Sequence, residues 1–269
     1  MAVAAPVLSS SGMVSLADRL RAGPFELIMS SGFFGFFAHA GVVQALEETA
    51  LAPALVGGSS AGALVAGLWG AGVPAAAIRD RLFSLKRADF WDPDPLFGIG
   101  GQRGLGLLRG DRFEQLLQEA LDVVGVHHFA DCRTPVRVVA FDVGTRRTVT
   151  LHQGLLVPAI RASCSVPGMF QPAVIDRRRL LDGGIADRAG IAAASEDARV
   201  LYHHLPTHSP WRRFTPSLNR VPARPRLHLL HEPALPRLSP FHLHRGPRAF
   251  DLARQMVLRA LAAPVDEAA

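Results

Sequence analysis

Short apolar runs alternate with helix-like stretches along the first part of the chain. The run FELIM over residues 25–29, bounded by Pro24 and Ser30, predicts a buried strand, and residues 38–49 have the apolar spacing of a helix. Residues 54–56 predict a second strand, which a Gly/Ser turn joins to another apolar helix. Two strand–turn–helix units in succession are typical of a parallel sheet covered by helices.

The same alternation continues to the end of the chain. Helices are predicted at residues 75–87, 111–124, 158–163 and 249–262, and strands at residues 136–141, 148–152, 180–181 and 200–203. A loop rich in proline and glycine is expected at residues 89–106. Because no repeat or clear linker divides the chain, we predict one domain over residues 25–269, preceded by an N-terminal segment over residues 1–24.

Two long uncharged stretches, residues 27–46 and 49–78, have the length of membrane spans. Both are interrupted by serines and glycines, and the second also by prolines such as Pro74. A lipid-exposed helix does not tolerate such breaks without compensation. We therefore interpret each stretch as a strand, a polar turn and a buried helix.

The positive charge of the chain is concentrated in one segment. The 269 residues are 49% hydrophobic and 19% charged, which excludes a disordered chain, and the formal net charge is +6. Residues 206–248 hold eight arginines against one acidic residue, so they carry +7, together with nine of the 20 prolines. We interpret residues 205–248 as a Pro/Arg-rich surface segment that contacts anionic membrane, with an ordinary solvated loop as the alternative. No nucleic-acid-binding motif accompanies the arginines, so no nucleic-acid partner is expected.

Only two cysteines are present, Cys132 and Cys164, and no cysteine or histidine spacing indicates a metal site. Two cysteines cannot form a disulfide framework, which favours a reducing, cytoplasmic compartment. The Pro/Arg-rich segment adds the expectation of peripheral contact at a membrane. Residues 1–11 lack the basic start of a secretory signal. We expect no metal and no cofactor, and the sequence leaves the oligomeric state open.

Residues 58–62 (GSSAG) form a G-x-S-x-G sequence between a predicted strand and a predicted helix. In that setting the small flanking residues allow a sharp turn that exposes the Ser60 hydroxyl, and the helix N-terminus favours developing negative charge. Ser60 is therefore a candidate nucleophile, and a glycine-rich helix N-cap without chemistry is the alternative.

Two further turns carry candidate chemistry. Residues 30–35 (SSGFFG) also lie between a strand and a helix, where neighbouring backbone N–H groups could converge on an oxyanion. Asp182 ends an apolar strand and precedes two glycines, so it could approach a substrate closely as a general base. Taken alone, each of these turns is also that of an ordinary connection.

In this order the three turns resemble those of the patatin-like phospholipase family. In that family a glycine-rich oxyanion loop precedes a G-x-S-x-G serine, and a D-G-[GA] aspartate follows later in the chain. The resemblance covers roughly residues 25–200, and the matching stretches are residues 30–48, 56–68, 161–175 and 180–187, with a weaker one at 138–154.

The resemblance implies an α/β fold, a three-layer α/β/α sandwich with a mostly parallel central sheet. It also implies an acyl-ester hydrolase with a Ser–Asp dyad and without a metal. Ser60 would attack the ester carbonyl, and Asp182 would take its proton and later activate water. The oxyanion would be held by backbone N–H groups of Ser31, Gly32, Phe33 and Ala61.

Four phenylalanines lie beside the proposed oxyanion loop. Phe33 and Phe34 are in the turn itself and are candidates for contact with a lipid or acyl-ester substrate, whether glycerophospholipid or neutral acylglycerol. Phe36 and Phe37 are expected to pack in the helix and core. Cys164 is expected to be a packed small residue rather than a nucleophile.

The chain departs from the family pattern in two places. Ser30, Ser31 and Phe34 stand where the family has two glycines and a basic residue, and this chain has residues 187–190 (DRAG) where an Asn-Pro often follows the aspartate. One alternative is therefore a catalytically weakened lipid-binding or regulatory protein on the same scaffold. The other is a Ser-His-Asp α/β-hydrolase, whose histidine would be one of seven late residues, most of them expected at the surface: His203, His204, His208, His228, His231, His242 and His244.

Overall fold

The computed structural model describes residues 13–95, 106–206 and 221–265. Its strands are β1 (Val14–Ser15), β2 (Glu26–Met29), β3 (Leu55–Ser59), β4 (Gly106–Leu108), β5 (Val136–Asp142), β6 (Arg147–Leu151), β7 (Gly168–Phe170), β8 (Ala173–Ile175), β9 (Arg178–Asp182), β10 (Val200–His204), β11 (Leu227–His231) and β12 (Pro264–Val265). Its α-helices are α1 (Leu16–Arg21), α2 (Phe36–Glu48), α3 (Ala61–Ala71), α4 (Ala75–Ser84), α5 (Asp111–Asp122), α6 (Leu156–Ser163) and α7 (Gly246–Ala262).

Eight of the described strands form one sheet, in the order β11-β10-β2-β3-β5-β9-β8, with β6 paired to β5. The five strands from β11 to β5 are parallel, whereas β6, β8 and β9 join antiparallel. Parallel strands need crossover connections, and the helices between them supply these and cover the sheet. The fold is thus an α/β sandwich with a mostly parallel central sheet, as expected.

The two faces of the sheet are covered unequally. Leu27, Val56 and Val138 belong to the large core shared with the α-helices. The alternate residues of the same strands, such as Ile28, pack in a smaller cluster under residues 189–198, which contain the 3-10 helix Ile191–Ala193. Successive side chains of a strand point to opposite faces, so each strand contributes to both layers.

The sheet brings the three candidate turns to one region. β2 and β3 are parallel neighbours in register, so the turns that follow them lie side by side. Ser59, the last residue of β3, pairs with Val139 in β5. β9 approaches the other edge of β5 from the opposite direction and ends at Asp182, which pairs with Ala140. Only β5 therefore separates the end of β9 from the turn after β3.

The two uncharged stretches are each a strand, a turn and a helix, as interpreted from the sequence. Residues 27–46 contain most of β2 and α2, and residues 49–78 contain β3 and α3. Among the described residues, no helix combines the length and the apolar character that crossing a bilayer requires.

The interpretation of residues 205–248 as a surface segment is wrong in part. The segment contains β11, which pairs with β10 at the edge of the sheet, and Leu205, Leu230 and Leu235 are buried. A five-residue edge strand leaves only a short apolar signal, and the surrounding prolines and arginines obscured it. Three of the arginines in this segment lie outside the described residues: Arg212, Arg213 and Arg220.

Candidate active site

Ser60 occupies a strained turn between β3 and α3. Its backbone has φ 53° and ψ −117°, a conformation that a residue with a side chain rarely adopts. Such a turn carries the hydroxyl away from both the strand and the helix. The turn also requires close packing, because a Cβ on Gly62 would lie 2.1 Å from the Met29 carbonyl oxygen of β2. Position 62 therefore requires glycine, because there is no room for a side chain.

The end of α6 holds this turn in place. The Ser60 backbone N–H donates a hydrogen bond to Ser163 Oγ at 2.8 Å, and Ser163 Oγ donates to the Val139 carbonyl oxygen at 2.5 Å. The Cys164 thiol donates to the Ser60 carbonyl oxygen at 3.3 Å. Burial and the charge of Asp182 raise the pKa of Cys164 well above that of a free thiol, which suits packing rather than nucleophilic attack.

The Ser60 hydroxyl donates a hydrogen bond to Asp182 Oδ2 at 2.6 Å. The second carboxylate oxygen, Oδ1, accepts from the Gly184 N–H at 2.8 Å. Only 8% of Ser60 and 5% of Asp182 is exposed. The structure thus brings together two residues that are 122 positions apart. Each is a candidate for catalysis on the sequence of its own turn alone.

Burial governs the charge of Asp182. Loss of water raises the pKa of its carboxyl group from 3.8 to about 6, although the hydrogen bonds from Ser60 and Gly184 and the positive charge of Arg188 act in the opposite direction. A carboxylate with this pKa is ionised at neutral pH yet binds a proton more readily than an exposed one. Those are the properties of an effective general base.

The loop after β2 is tied to two other segments by its serines. Ser30 Oγ accepts a hydrogen bond from the Leu205 N–H at 2.9 Å, and the Ser31 N–H donates to the Arg188 carbonyl oxygen at 2.8 Å. The prediction of Ser31 as an oxyanion donor is therefore wrong, because its N–H is already used. The Ser30 side chain, where the family has a glycine, connects the loop to the end of β10, and the Ser31 backbone connects it to residues after β9.

The other three predicted donors remain available. In the described part of the chain, the backbone N–H groups of Gly32, Phe33 and Ala61 have no acceptor. Ala61 is the first residue of α3, where an N–H group has no partner inside the helix. All three residues line the same cavity as Ser60.

A buried pair of histidines anchors the loop from behind. His39 Nε2 lies 2.8 Å from the Ser30 carbonyl oxygen, and His39 Nδ1 lies 2.8 Å from His203 Nδ1. Burial lowers the pKa of His39 to about 3 and lowers the pKa of His203 well below its ordinary value, so both rings are neutral. A carbonyl only accepts, so the proton of His39 is on Nε2 and His203 must donate from Nδ1. His39 is not among the residues predicted from the sequence, where its only signal is its position in an apolar helix.

None of the described histidines is placed for a Ser-His-Asp triad. His203 and His204 are buried, contrary to the expectation of surface positions, because β10 lies inside the sheet. His203 bonds to His39, and His204 Nδ1 lies 3.2 Å from the Tyr202 hydroxyl. No histidine of the described ranges hydrogen-bonds to Ser60 or Asp182, and the candidate His208 lies outside those ranges.

An apolar cavity of about 360 Å³ opens beside Ser60 and Asp182. Its walls away from the dyad are mainly aliphatic and aromatic side chains of α3, α4 and α5 and the β7 region, among them Leu64, Leu68, Leu82, Phe113, Leu117, Met169 and Phe170. The predicted contact residues Phe33 and Phe34 both line it, and Phe33 is 55% exposed. Phe36 also lines the cavity, whereas Phe37 is buried in the core as expected.

Phe34 holds an unfavourable backbone conformation by packing. Its φ of 56° lies in the left-handed region, which a bulky side chain rarely enters. Its ring packs against Phe33, Phe36 and Phe90 with centroids 4.9, 5.4 and 5.6 Å away. The position where the resemblance places a basic residue is thus an aromatic wall of the cavity.

A serine on a strained strand–helix turn, beside a buried carboxylate and an apolar cavity, corresponds to the serine hydrolases as a class. The family model described as "Patatin-like phospholipase" matches residues 27–195. The chain belongs to the patatin-like phospholipase family.

Curated relatives match over most of the chain. An NTE family protein of Mycobacterium tuberculosis, described as uncharacterized, is 33% identical over 177 residues, which are 65% of this chain and 47% of that protein. Lysophospholipase NTE1 of Coccidioides immitis is 26% identical over 201 residues, which are 70% of this chain and 12% of that protein. The chain therefore corresponds to about half of the mycobacterial relative and to a small part of the fungal one.

Among solved structures, the crystal structure of VipD from Legionella pneumophila superimposes with a TM-score of 0.53. The superposition covers 90% of this chain and 68% of that one, at 14% sequence identity. Likeness at this identity concerns the fold, and it agrees with the α/β sandwich described above.

Proposed function

We propose that the chain hydrolyses acyl esters of lipids, as a phospholipase A or lipid esterase, through Ser60 and Asp182. The observation that carries the proposal is the 2.6 Å hydrogen bond between Ser60 Oγ and Asp182 Oδ2 in the lining of an apolar cavity. Family membership supports the substrate class, since the family is one of phospholipases.

In the first step Ser60 Oγ attacks the ester carbonyl carbon while its proton passes to Asp182. The carbonyl oxygen becomes negatively charged, and the unpaired N–H groups of Gly32, Phe33 and Ala61 are the donors proposed to hold it. The intermediate then releases the alcohol, which takes the proton from Asp182. The acyl group stays on Ser60 as an ester.

In the second step Asp182 removes a proton from water, and the hydroxide attacks the acyl carbonyl carbon. The Ser60–acyl bond breaks, the fatty acid leaves, and Ser60 recovers its proton from Asp182. The same acyl-enzyme would serve acyl transfer if an alcohol replaced the water. The cavity is suited to the acyl chain, because each buried CH₂ group contributes about 0.8 kcal/mol.

The test is a comparison of wild-type protein with Ser60→Ala and Asp182→Asn on short-chain and long-chain p-nitrophenyl esters. We expect both variants to lose at least about 10³-fold in kcat/KM, since each removes a group that acts in both steps. Ser59→Ala is the matched control, because the adjacent Ser59 hydroxyl is buried and has no hydrogen-bond partner among the described residues. Full activity in Ser60→Ala would contradict the proposal.

Labelling with a serine-reactive fluorophosphonate separates an enzyme from a lipid-binding or regulatory protein on the same scaffold. An active nucleophile is expected to give a covalent adduct at Ser60 in the wild type and in Ser59→Ala. Absence of labelling at Ser60, with lipid binding retained, would favour the binding protein. Two features favour this alternative. The Ser31 N–H already donates to the Arg188 carbonyl oxygen, and Phe34 stands where the family has a basic residue.

A further inference from the structure

Arg188 is a charged residue of the cavity that the proposed reaction does not use. It follows the dyad aspartate by six positions and lines the cavity together with Ser60 and Asp182. Its Nη2 donates one hydrogen bond, to the Leu205 carbonyl oxygen at 3.2 Å. Its Nε is buried and has no partner among the described residues.

A second arginine of the same cavity provides a contrast. Arg81 lies on α4, and its guanidinium is paired with the Glu119 carboxylate of α5. In the described part of the chain Arg188 has no carboxylate within ion-pair distance. Of these two arginines, Arg188 beside the dyad is therefore the one without a carboxylate partner among the described residues.

An unpaired guanidinium that is largely desolvated is costly to the folded protein. Burial lowers the pKa of Arg188, while the nearby Asp182 acts in the opposite direction. Asp182 is nevertheless not its partner, because the described ion pairs include none between the Arg188 guanidinium and the Asp182 carboxylate. An anionic ligand would offset the cost, and a guanidinium matches a phosphate with two parallel hydrogen bonds.

The position of Arg188 determines which part of a substrate it would meet. Its carbonyl oxygen accepts from the Ser31 N–H, and the Leu205 side chain that follows β10 packs against Gly32. Arg188 is thus beside the loop after β2, while the acyl chain would extend toward the aliphatic walls. With the ester at Ser60, the glycerol and whatever it carries would lie on the Arg188 side.

We propose that Arg188 forms an anion subsite for the phosphate of a glycerophospholipid, and so favours phospholipids over neutral acylglycerols. The subsite rests on the proposed function for its orientation toward the dyad. It also supplies a positive charge to a site whose loop has Phe34 where the family has a basic residue.

The test measures binding without turnover, in a Ser60→Ala background. The two probes are a lysophosphatidylcholine and a monoacylglycerol with the same acyl chain, short enough to remain monomeric. We expect Arg188→Gln to weaken binding of the phospholipid by roughly 10-fold to 100-fold and that of the neutral lipid by less than about 3-fold. Arg188→Lys should lose less, because it keeps the charge but not the paired donors.

Arg81→Gln is the control, since that guanidinium already has a carboxylate partner, and the ratio of the two affinities should stay unchanged. Equal weakening of both lipids by Arg188→Gln, or no weakening of the phospholipid, would overturn the subsite. An unchanged far-ultraviolet circular dichroism spectrum establishes that Arg188→Gln is folded. If Arg188→Gln selectively weakens phospholipid binding but the Ser60-containing protein hydrolyses neither lipid, the proposed function fails and the subsite stands.

Discussion

Asp182 carries a charge at a place where water cannot stabilise it, and this determines how the reaction should depend on pH. With its pKa raised to about 6, the carboxylate is protonated below that pH and cannot accept the Ser60 proton. We expect kcat/KM to fall about 10-fold per pH unit below pH 6 and to reach a plateau above about pH 7. The measurement is a pH–rate profile on a soluble ester whose own hydrolysis is subtracted. A flat profile down to pH 5 would show that Asp182 is not the base.

The ionised Asp182 should also make the folded protein less stable at neutral pH than the same protein with an uncharged side chain at this position. Its folded pKa of about 6 exceeds the ordinary value of 3.8, so ionisation costs the folded state and not the unfolded one. Below about pH 3 the group is protonated in both states and costs nothing, whereas above about pH 7 the full cost of about 3 kcal/mol applies.

Asp182→Asn keeps the shape of the side chain without its charge. Its free energy of unfolding, relative to wild type, should therefore increase by up to about 3 kcal/mol between about pH 3 and pH 7. Urea denaturation at several pH values measures this difference. A difference that does not change with pH would mean that the folded protein does not shift the pKa of Asp182.

At the scale of elements, the contact between α3 and β2 sets the position of the nucleophile. Gly62→Ala should lower the free energy of unfolding by about 1–3 kcal/mol, because the new Cβ would displace the Met29 carbonyl of β2. Activity should fall more than stability, since Ser60 moves with the start of α3. Denaturation and esterase assays on the same sample measure both effects.

Gly144→Ala is the matched control for this change. A Cβ there would meet only Asp142 Oδ1 at 3.4 Å, an ordinary contact. Wild-type stability and activity are expected. If Gly62→Ala also behaved like the wild type, the close approach of α3 to β2 would not be a constraint on the site.

Sequence patterns located most of these elements to within a few residues. The strand expected at residues 136–141 is Val136–Asp142, and the helix expected at residues 111–124 is Asp111–Asp122. Their apolar periodicity is strong because each element packs one or both faces against the core. β11 is not predicted by these patterns, because an edge strand of five residues among prolines shows little periodicity.

At the scale of the whole molecule, exposed aromatic side chains lie close to the cavity. Phe33 lines it, and Trp91 and Phe241 are 41% and 72% exposed. The Arg87 guanidinium lies 5.3 Å from the Trp91 ring and 5.5 Å from the Phe241 ring, so these two aromatics share one neighbourhood beside Phe90, a wall of the cavity. Aromatic and basic residues together are typical of surfaces that enter the membrane interface.

We therefore expect peripheral binding to membranes at this rim. Phe241→Ser should weaken partition to phosphatidylcholine vesicles by about fivefold, because the ring would lose its burial among lipids. Added phosphatidylserine should strengthen binding of both proteins, and salt should reverse that gain. Vesicle co-sedimentation measures the partition.

Val174→Ser is the control for this experiment, because Val174 is 66% exposed and does not line the cavity. It should bind like the wild type. Equal binding by Phe241→Ser would show that this rim does not meet the membrane, and insensitivity to both anionic lipid and salt would exclude a role for the arginine-rich segment.

The sequence by itself determined the local features: the α/β order of elements, the elbow at Ser60, the aspartate at the end of β9 and the loop after β2. Each of these depends on residues within a few positions of one another, so periodicity and turn chemistry reveal it. Only the family resemblance joins the serine and the aspartate into a dyad at the level of sequence.

Only the tertiary structure decided which groups meet and which are still available. The 2.6 Å contact of Ser60 with Asp182, the use of the Ser31 N–H by Arg188 and the buried pair of His39 and His203 depend on the sheet order. The raised pKa of Asp182 depends on burial by distant segments. These hydrogen bonds and this desolvation arise from contacts between residues far apart in the chain, so a local sequence pattern does not predict them.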